Sequence, residues 1–157
     1  MNSFWTETFL PLAGSTIRVS IPLLFAALGG LLSERSGVIN IALEGLMLVG
    51  AFTAAAVTYG THSPWIGAAA GMGAGMALAA FYALFVIRLR SNQIVAGTAI
   101  NMIAAGVTPF LAKILYGSTN ASPAIPLEFR FQEAPPWIAV TILFLIALWL
   151  YRTPSGL

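Results

Sequence analysis

The stretch Gly45–Ile87, GLMLVGAFTAAAVTYGTHSPWIGAAAGMGAGMALAAFYALFVI, holds no Asp, Glu, Lys or Arg. It is long enough for two membrane crossings at roughly 20 residues each, with a turn-like joint, Gly60-Thr61-His62-Ser63-Pro64, inside it. Outward from it the pattern repeats. Five apolar blocks can be marked, at about Phe9–Leu32, Val38–Tyr59, Trp65–Ile87, Ile94–Tyr116 and Trp137–Tyr151. The polar residues collect between them, in Ser33-Glu34-Arg35-Ser36, in Arg88-Leu89-Arg90-Ser91-Asn92, and in a long loop from Gly117 to Ala134. Of the 157 residues 59% are hydrophobic and 8% charged, against roughly 25% charged in an ordinary soluble domain. Too few charges remain to give the chain a water-facing surface. Helices are predicted because lipid offers the backbone no partners and a helix satisfies its own. The blocks are too long, and alternate too little, for the strands of a membrane barrel. The expected fold is all-α, a polytopic transmembrane bundle of about five helices forming one domain over residues 1–157. The second segment is a candidate for a discontinuous helix, and the fifth can start at Pro135 or Pro136, since proline suits a first helical turn.

Charge sets the expected orientation. The net charge of +2 rests on only seven basic residues, so no nucleic-acid partner is implied; membrane lipid is. If the blocks alternate, Arg35, Arg88, Arg90 and Arg152 share one face and Arg130 lies opposite. The richer face is expected to be cytoplasmic, with the N-terminus outside. Arg18 and Lys113 lie inside blocks near the outer face and can snorkel towards it. Tyr59, Trp65, Tyr116 and Trp137 would then sit at the outer interface. Met1–Leu10 carries no basic residue ahead of its apolar stretch, so the first helix is expected to be retained rather than cleaved as a signal peptide. There is no cysteine, which excludes disulfides and thiolate metal sites. His62 stands alone and makes no metal centre. No Walker-type loop, Gly-x-Ser-x-Gly elbow or His-Glu-x-x-His pair occurs, so the chain is expected to be no enzyme and to hold no cofactor.

Few residues can carry function. Glu44 lies six residues into the second block with Asn40 one turn earlier, so both share a face if that segment is helical. A carboxylate at a helix centre in the membrane costs roughly 2.5–3.5 kcal/mol on the milder scales. Glu44 therefore lines a translocation path, or it sits near the cytoplasmic end, or it caps a broken helix and holds the bundle together. Gly29-Gly30 and Ser36-Gly37 flank Glu34-Arg35, which fits a helix interrupted in the membrane as well as a short loop between spans. Gly67, Gly71, Gly75, Ala79 and Ala83 recur every four residues, a smooth stripe for close helix packing. Gly97, Asn101 and Ala105 repeat the spacing, and Pro109 is expected to kink that helix. Asn101 either hydrogen-bonds across to another helix or lines the path.

The run Glu34-Arg35-Ser36-Gly37-Val38-Ile39-Asn40-Ile41-Ala42-Leu43-Glu44-Gly45-Leu46-Met47-Leu48-Val49-Gly50-Ala51-Phe52 resembles the signature of bacterial ABC-importer permeases. The branch is the one that groups nucleoside, simple-sugar and branched-chain amino-acid systems. Ser91-Asn92-Gln93-Ile94-Val95-Ala96-Gly97-Thr98-Ala99-Ile100-Asn101-Met102 is similar to the start of a later helix in the same family. The form with Asn40 and Glu44-Gly45 looks closest to the nucleoside and simple-sugar members. The resemblance implies a multi-pass protein of the bacterial inner membrane that supplies the path. It implies a second permease subunit, cytoplasmic ATPase subunits and an extracytoplasmic substrate-binding protein as partners. Family permeases are longer, and their cytoplasmic coupling loop follows a segment like Arg152-Thr153-Pro154-Ser155-Gly156-Leu157, so the chain is expected to be an N-terminal portion. Two other readings stand beside this one: a non-transporting membrane scaffold or truncated product, and an ion-coupled carrier built around Glu44.

Overall fold

A computed structural model describes residues 4–118, 125–126 and 136–152. The expected Gly117–Ala134 loop with Arg130, the side chain of Trp137 and the segment after Arg152 therefore lie wholly or largely outside the described residues. Among the described residues five α-helices follow one another: α1 Leu10–Arg35, α2 Leu43–Thr61, α3 Pro64–Ala83, α4 Gln93–Tyr116 and α5 Pro136–Arg152. A π-helical turn, Phe4–Phe9, leads into α1, and another, Leu84–Arg88, continues α3. Among the described residues there is no strand. Glu7–Arg35, Leu43–Thr61, Pro64–Arg88 and Gln93–Tyr116 are long and apolar enough to cross a membrane, and α5 is shorter at 17 residues. Large apolar side chains such as Leu24, Met72, Met102 and Phe144 are exposed, as expected where the solvent is lipid.

The chain divides into two compact units, residues 1–37 with 133–157, and residues 38–132. In the first, α1 and α5 line an open apolar groove of about 480 Å³ between side chains that include Leu24, Leu28, Leu31, Leu143 and Phe144. The hydroxyls of Ser15, Thr16 and Ser20 on α1 donate to the carbonyls of Pro11, Leu12 and Thr16 at 2.8–2.9 Å. Each is satisfied within its own helix, which is how hydroxyl side chains are tolerated in an apolar span.

The second unit is a three-helix arrangement in which α2 and α3 form a tight hairpin. His62 closes α2 in the left-handed conformation (φ 53°), its N–H donating to the Thr58 carbonyl, and Pro64 opens α3 where a missing N–H costs nothing. Gly67 and Gly71 of α3 face Gly50, Ala54 and Thr58 of α2. A Cβ on Gly67 would collide with Thr58 Oγ1 and lie 2.7 Å from the Ala54 carbonyl oxygen. One on Gly71 would lie 2.7 Å from the Gly50 carbonyl oxygen. The third stripe glycine, Gly75, has no heavy atom of another element within 4 Å of such a Cβ.

Helix α4 runs parallel to α2. At one end Ile39 meets Gln93, and at the other the rings of Tyr59 and Tyr116 meet edge to face, 5.6 Å between centroids. The alternation of blocks two to four is thus present, with Arg88 and Arg90 at the end away from the two tyrosines. Asn92 caps α4, its side-chain oxygen accepting from the N–H groups of Ile94 and Val95 at 2.9 and 3.4 Å. The helix continues past Pro109 to a left-handed Gly117 (φ 71°). The buried core is small, Ala42, Tyr82 and Ile100 with Val38, Leu78, Val86 and Ala96 around it.

Candidate functional site

Block two does not start where its hydropathy starts. Helix α2 begins at Leu43, and Val38–Ala42 is extended and turned backbone. The expected helical face shared by Asn40 and Glu44 is therefore absent, because Asn40 lies before the helix. Its side-chain oxygen instead accepts from the Ala42 N–H at 3.1 Å, the local turn that asparagine offers in competition with helix. Helix α2 itself is unbroken from Leu43 to Thr61, so the second segment is not a discontinuous helix; the non-helical backbone lies ahead of it, between α1 and α2.

Side chains from α3 and α4 take over the backbone of this stretch. Gln93 Oε1 accepts from the Ile39 N–H at 2.8 Å. The Tyr82 hydroxyl, on a ring only 3% exposed, donates to the Ile39 carbonyl at 2.8 Å. Asn101 makes two bonds at once: Nδ2 donates to the Ile41 carbonyl at 2.9 Å, and Oδ1 accepts from the Gly45 N–H at 2.8 Å. Close approach at this point requires glycine on both helices. A Cβ on Gly45 would lie 2.9 Å from Asn101 Oδ1, and one on Gly97 would lie 2.8 Å from Ile41 Cβ.

Glu44 sits in the first turn of α2 and is exposed. A carboxylate there is favoured by the helix dipole by about 0.3–1 kcal/mol. Asn40, Glu44 and Asn101 thus occupy one neighbourhood, with two of them committed to backbone and Glu44 turned outward. Tyr82 and Gln93 complete it and were not marked out by sequence. The available signal was a tyrosine inside an uncharged run, since a buried hydroxyl needs a partner. Among the described residues no cluster of His, Cys, Asp and Glu could hold a metal ion.

Residues 12–157 match the family described as branched-chain amino acid transport system / permease component. The chain belongs to that family. It is a family of transport components and not of enzymes, and the stretch Glu34–Phe52 covers the last two residues of α1, the non-helical backbone to Ala42 and the first half of α2. The chain is 35% identical, over 91% of its length, to the guanosine ABC transporter permease protein NupQ of Bacillus subtilis. It is 43% identical, over 63% of its length, to the putative glucose ABC transporter permease protein TsgC13 of Haloferax volcanii. To the nucleoside ABC transporter permease protein NupC of Lactococcus lactis it is 29% identical over 88%. These alignments cover 52%, 30% and 51% of the relatives, so the chain spans about half the length of the curated permeases it matches, or less. No solved structure matches the chain. The permease is an integral membrane protein, and its membership of this family does not favour the scaffold and ion-coupled readings.

Proposed function

We propose that the chain is the N-terminal portion of a permease subunit of an ABC-type importer, supplying part of the path for a nucleoside, a simple sugar or a related small polar solute. The observation that carries this reading is the similarity to a guanosine permease across 91% of the chain. Two further permeases, one for nucleosides and one putatively for glucose, point the same way. The partners that follow are a second permease subunit, two cytoplasmic ATPases and an extracytoplasmic binding protein. ATP binding in such an assembly moves the permease between inward and outward forms by favouring one of them. Glu44, exposed at the start of α2, is the proposed lining carboxylate. Asn40 and Asn101 act beside it by shaping the backbone.

The test is uptake in proteoliposomes holding the full permease with its ATPases and binding protein, offered labelled guanosine and labelled glucose separately. ATP-dependent accumulation of either solute is expected. Accumulation of neither, with the assembly intact by size and ATPase activity, overturns the reading.

A further inference from the structure

Five residues of an apolar block stay out of helix although the helix they would extend begins at once behind them. The hydrogen bonds show why. Winding α2 back by one turn would pair the Gly45 N–H with the Ile41 carbonyl, four residues earlier. Those are the two groups that the Asn101 amide takes, one with Oδ1 and one with Nδ2. The side chain is inserted into the helical ladder where the next backbone bond would form, a recognised cause of helix interruption. Gln93 and Tyr82 then hold the Ile39 peptide groups of the non-helical segment, while the Ile39 side chain is 51% exposed.

With the amide inserted, its two bonds stand in for one backbone bond, and Gln93 and Tyr82 hold Ile39; winding residues 39–42 exchanges all four side-chain bonds for helical backbone bonds, and the freed side chains must find other partners. Single hydrogen bonds differ little in net worth, so a modest bias moves the population. The insertion lies at the end of the unit that carries Arg88 and Arg90, the end expected to face the cytoplasm and the ATPases.

We propose that Asn101 is a positioning residue that works as a removable wedge: inserted, it keeps α2 starting at Leu43, and withdrawn, it lets residues 39–42 wind onto α2 as the path changes form. The transport part of this proposal rests on the permease reading; the wedge itself does not. Cysteine is absent from these 157 residues, so in a full permease with any cysteine elsewhere replaced, spin labels can be placed at Ile39→Cys and Thr61→Cys, one on the non-helical segment and one at the far end of α2. In the full permease, winding shortens the distance between them by about 3–5 Å, the difference between an extended and a helical rise over a few residues.

Two distances are expected in the assembled transporter, with their ratio moved by vanadate trapping of nucleotide. Asn101→Leu, which offers neither donor nor acceptor, is expected to collapse them onto the shorter one. The same variant lowers the maximal uptake rate about ten-fold, the worth of one or two hydrogen bonds, with KM little changed. Tyr82→Phe keeps the buried ring and loses only the hydroxyl, and shifts the ratio the same way; it decides the matter if Asn101→Leu does not accumulate in the membrane. An unchanged distance in these variants overturns the wedge, as does a raised KM at full maximal rate, which would make Asn101 a solute ligand. Absence of uptake by the unmodified assembly, with the shorter distance still appearing in the variants, overturns the permease reading and leaves the wedge standing.

Discussion

Helix α2 is held on two sides by opposite means. Against α3 it presents Gly50, Ala54 and Thr58 to Gly71 and Gly67, a close seam whose strength is dispersion between backbones brought together. At its start it is tied by side-chain groups instead: Asn101 of α4 bonds Ile41 and Gly45, and Gln93 of α4 and Tyr82 of α3 bond Ile39 just ahead of the helix. A seam of small residues has one good register and resists sliding. A set of side-chain bonds to backbone can be exchanged for other bonds of similar worth. The first contact fixes the hairpin, and the second is the one that the proposed Asn101 wedge would exchange.

One added methyl group, placed at three glycines, separates these properties. The largest effect is expected for Gly67→Ala, where the new Cβ meets Thr58 Oγ1 and the Ala54 carbonyl. The carbonyl belongs to a helix backbone and cannot rotate away. A loss of about 2 kcal/mol is expected after the gain in helix preference is counted, read as a lower midpoint of thermal unfolding in detergent. A middling effect is expected for Gly97→Ala. Its Cβ would lie 2.8 Å from Ile41 Cβ and 3.1 Å from the Ala42 nitrogen, but both belong to unwound backbone that can retreat. About 1 kcal/mol is expected there, and a larger loss than at Gly67 would show that the polar contact is the stiffer of the two.

Sequence disclosed the seam and hid the polar contact for a physical reason. Apolar length and the four-residue repeat of Gly67 and Gly71 are properties of a helix by itself, so both the spans and the hairpin could be read along the chain. Whether Val38–Ala42 winds is decided by Tyr82, Gln93 and Asn101, which reach it from two other helices. No periodicity inside block two reports on them. Asn101 was expected to bond across to another helix or to line the path; it does reach across, and its partners are main-chain groups that have no letter in a sequence. Asn40 was placed on a helical face by counting in turns, which fails where the turn does not form.

Gly75 makes the smallest prediction and the one of opposite sign. It continues the repeat of Gly67 and Gly71 by one more step, yet among the described residues no heavy atom beyond its own stretch of helix lies within 4 Å of a Cβ built on it. Four residues per step against 3.6 per turn rotate a stripe steadily around its helix, so by the third step the small residue has turned from the seam. Alanine there adds no collision and relieves the entropy that glycine gives up in a helix, worth up to about 1 kcal/mol. Gly75→Ala is therefore expected to leave the unfolding midpoint unchanged or slightly raised. A loss comparable to that of Gly67→Ala in the full permease would mean that another helix closes on α3 at this point, and that the smooth stripe serves two neighbours rather than one.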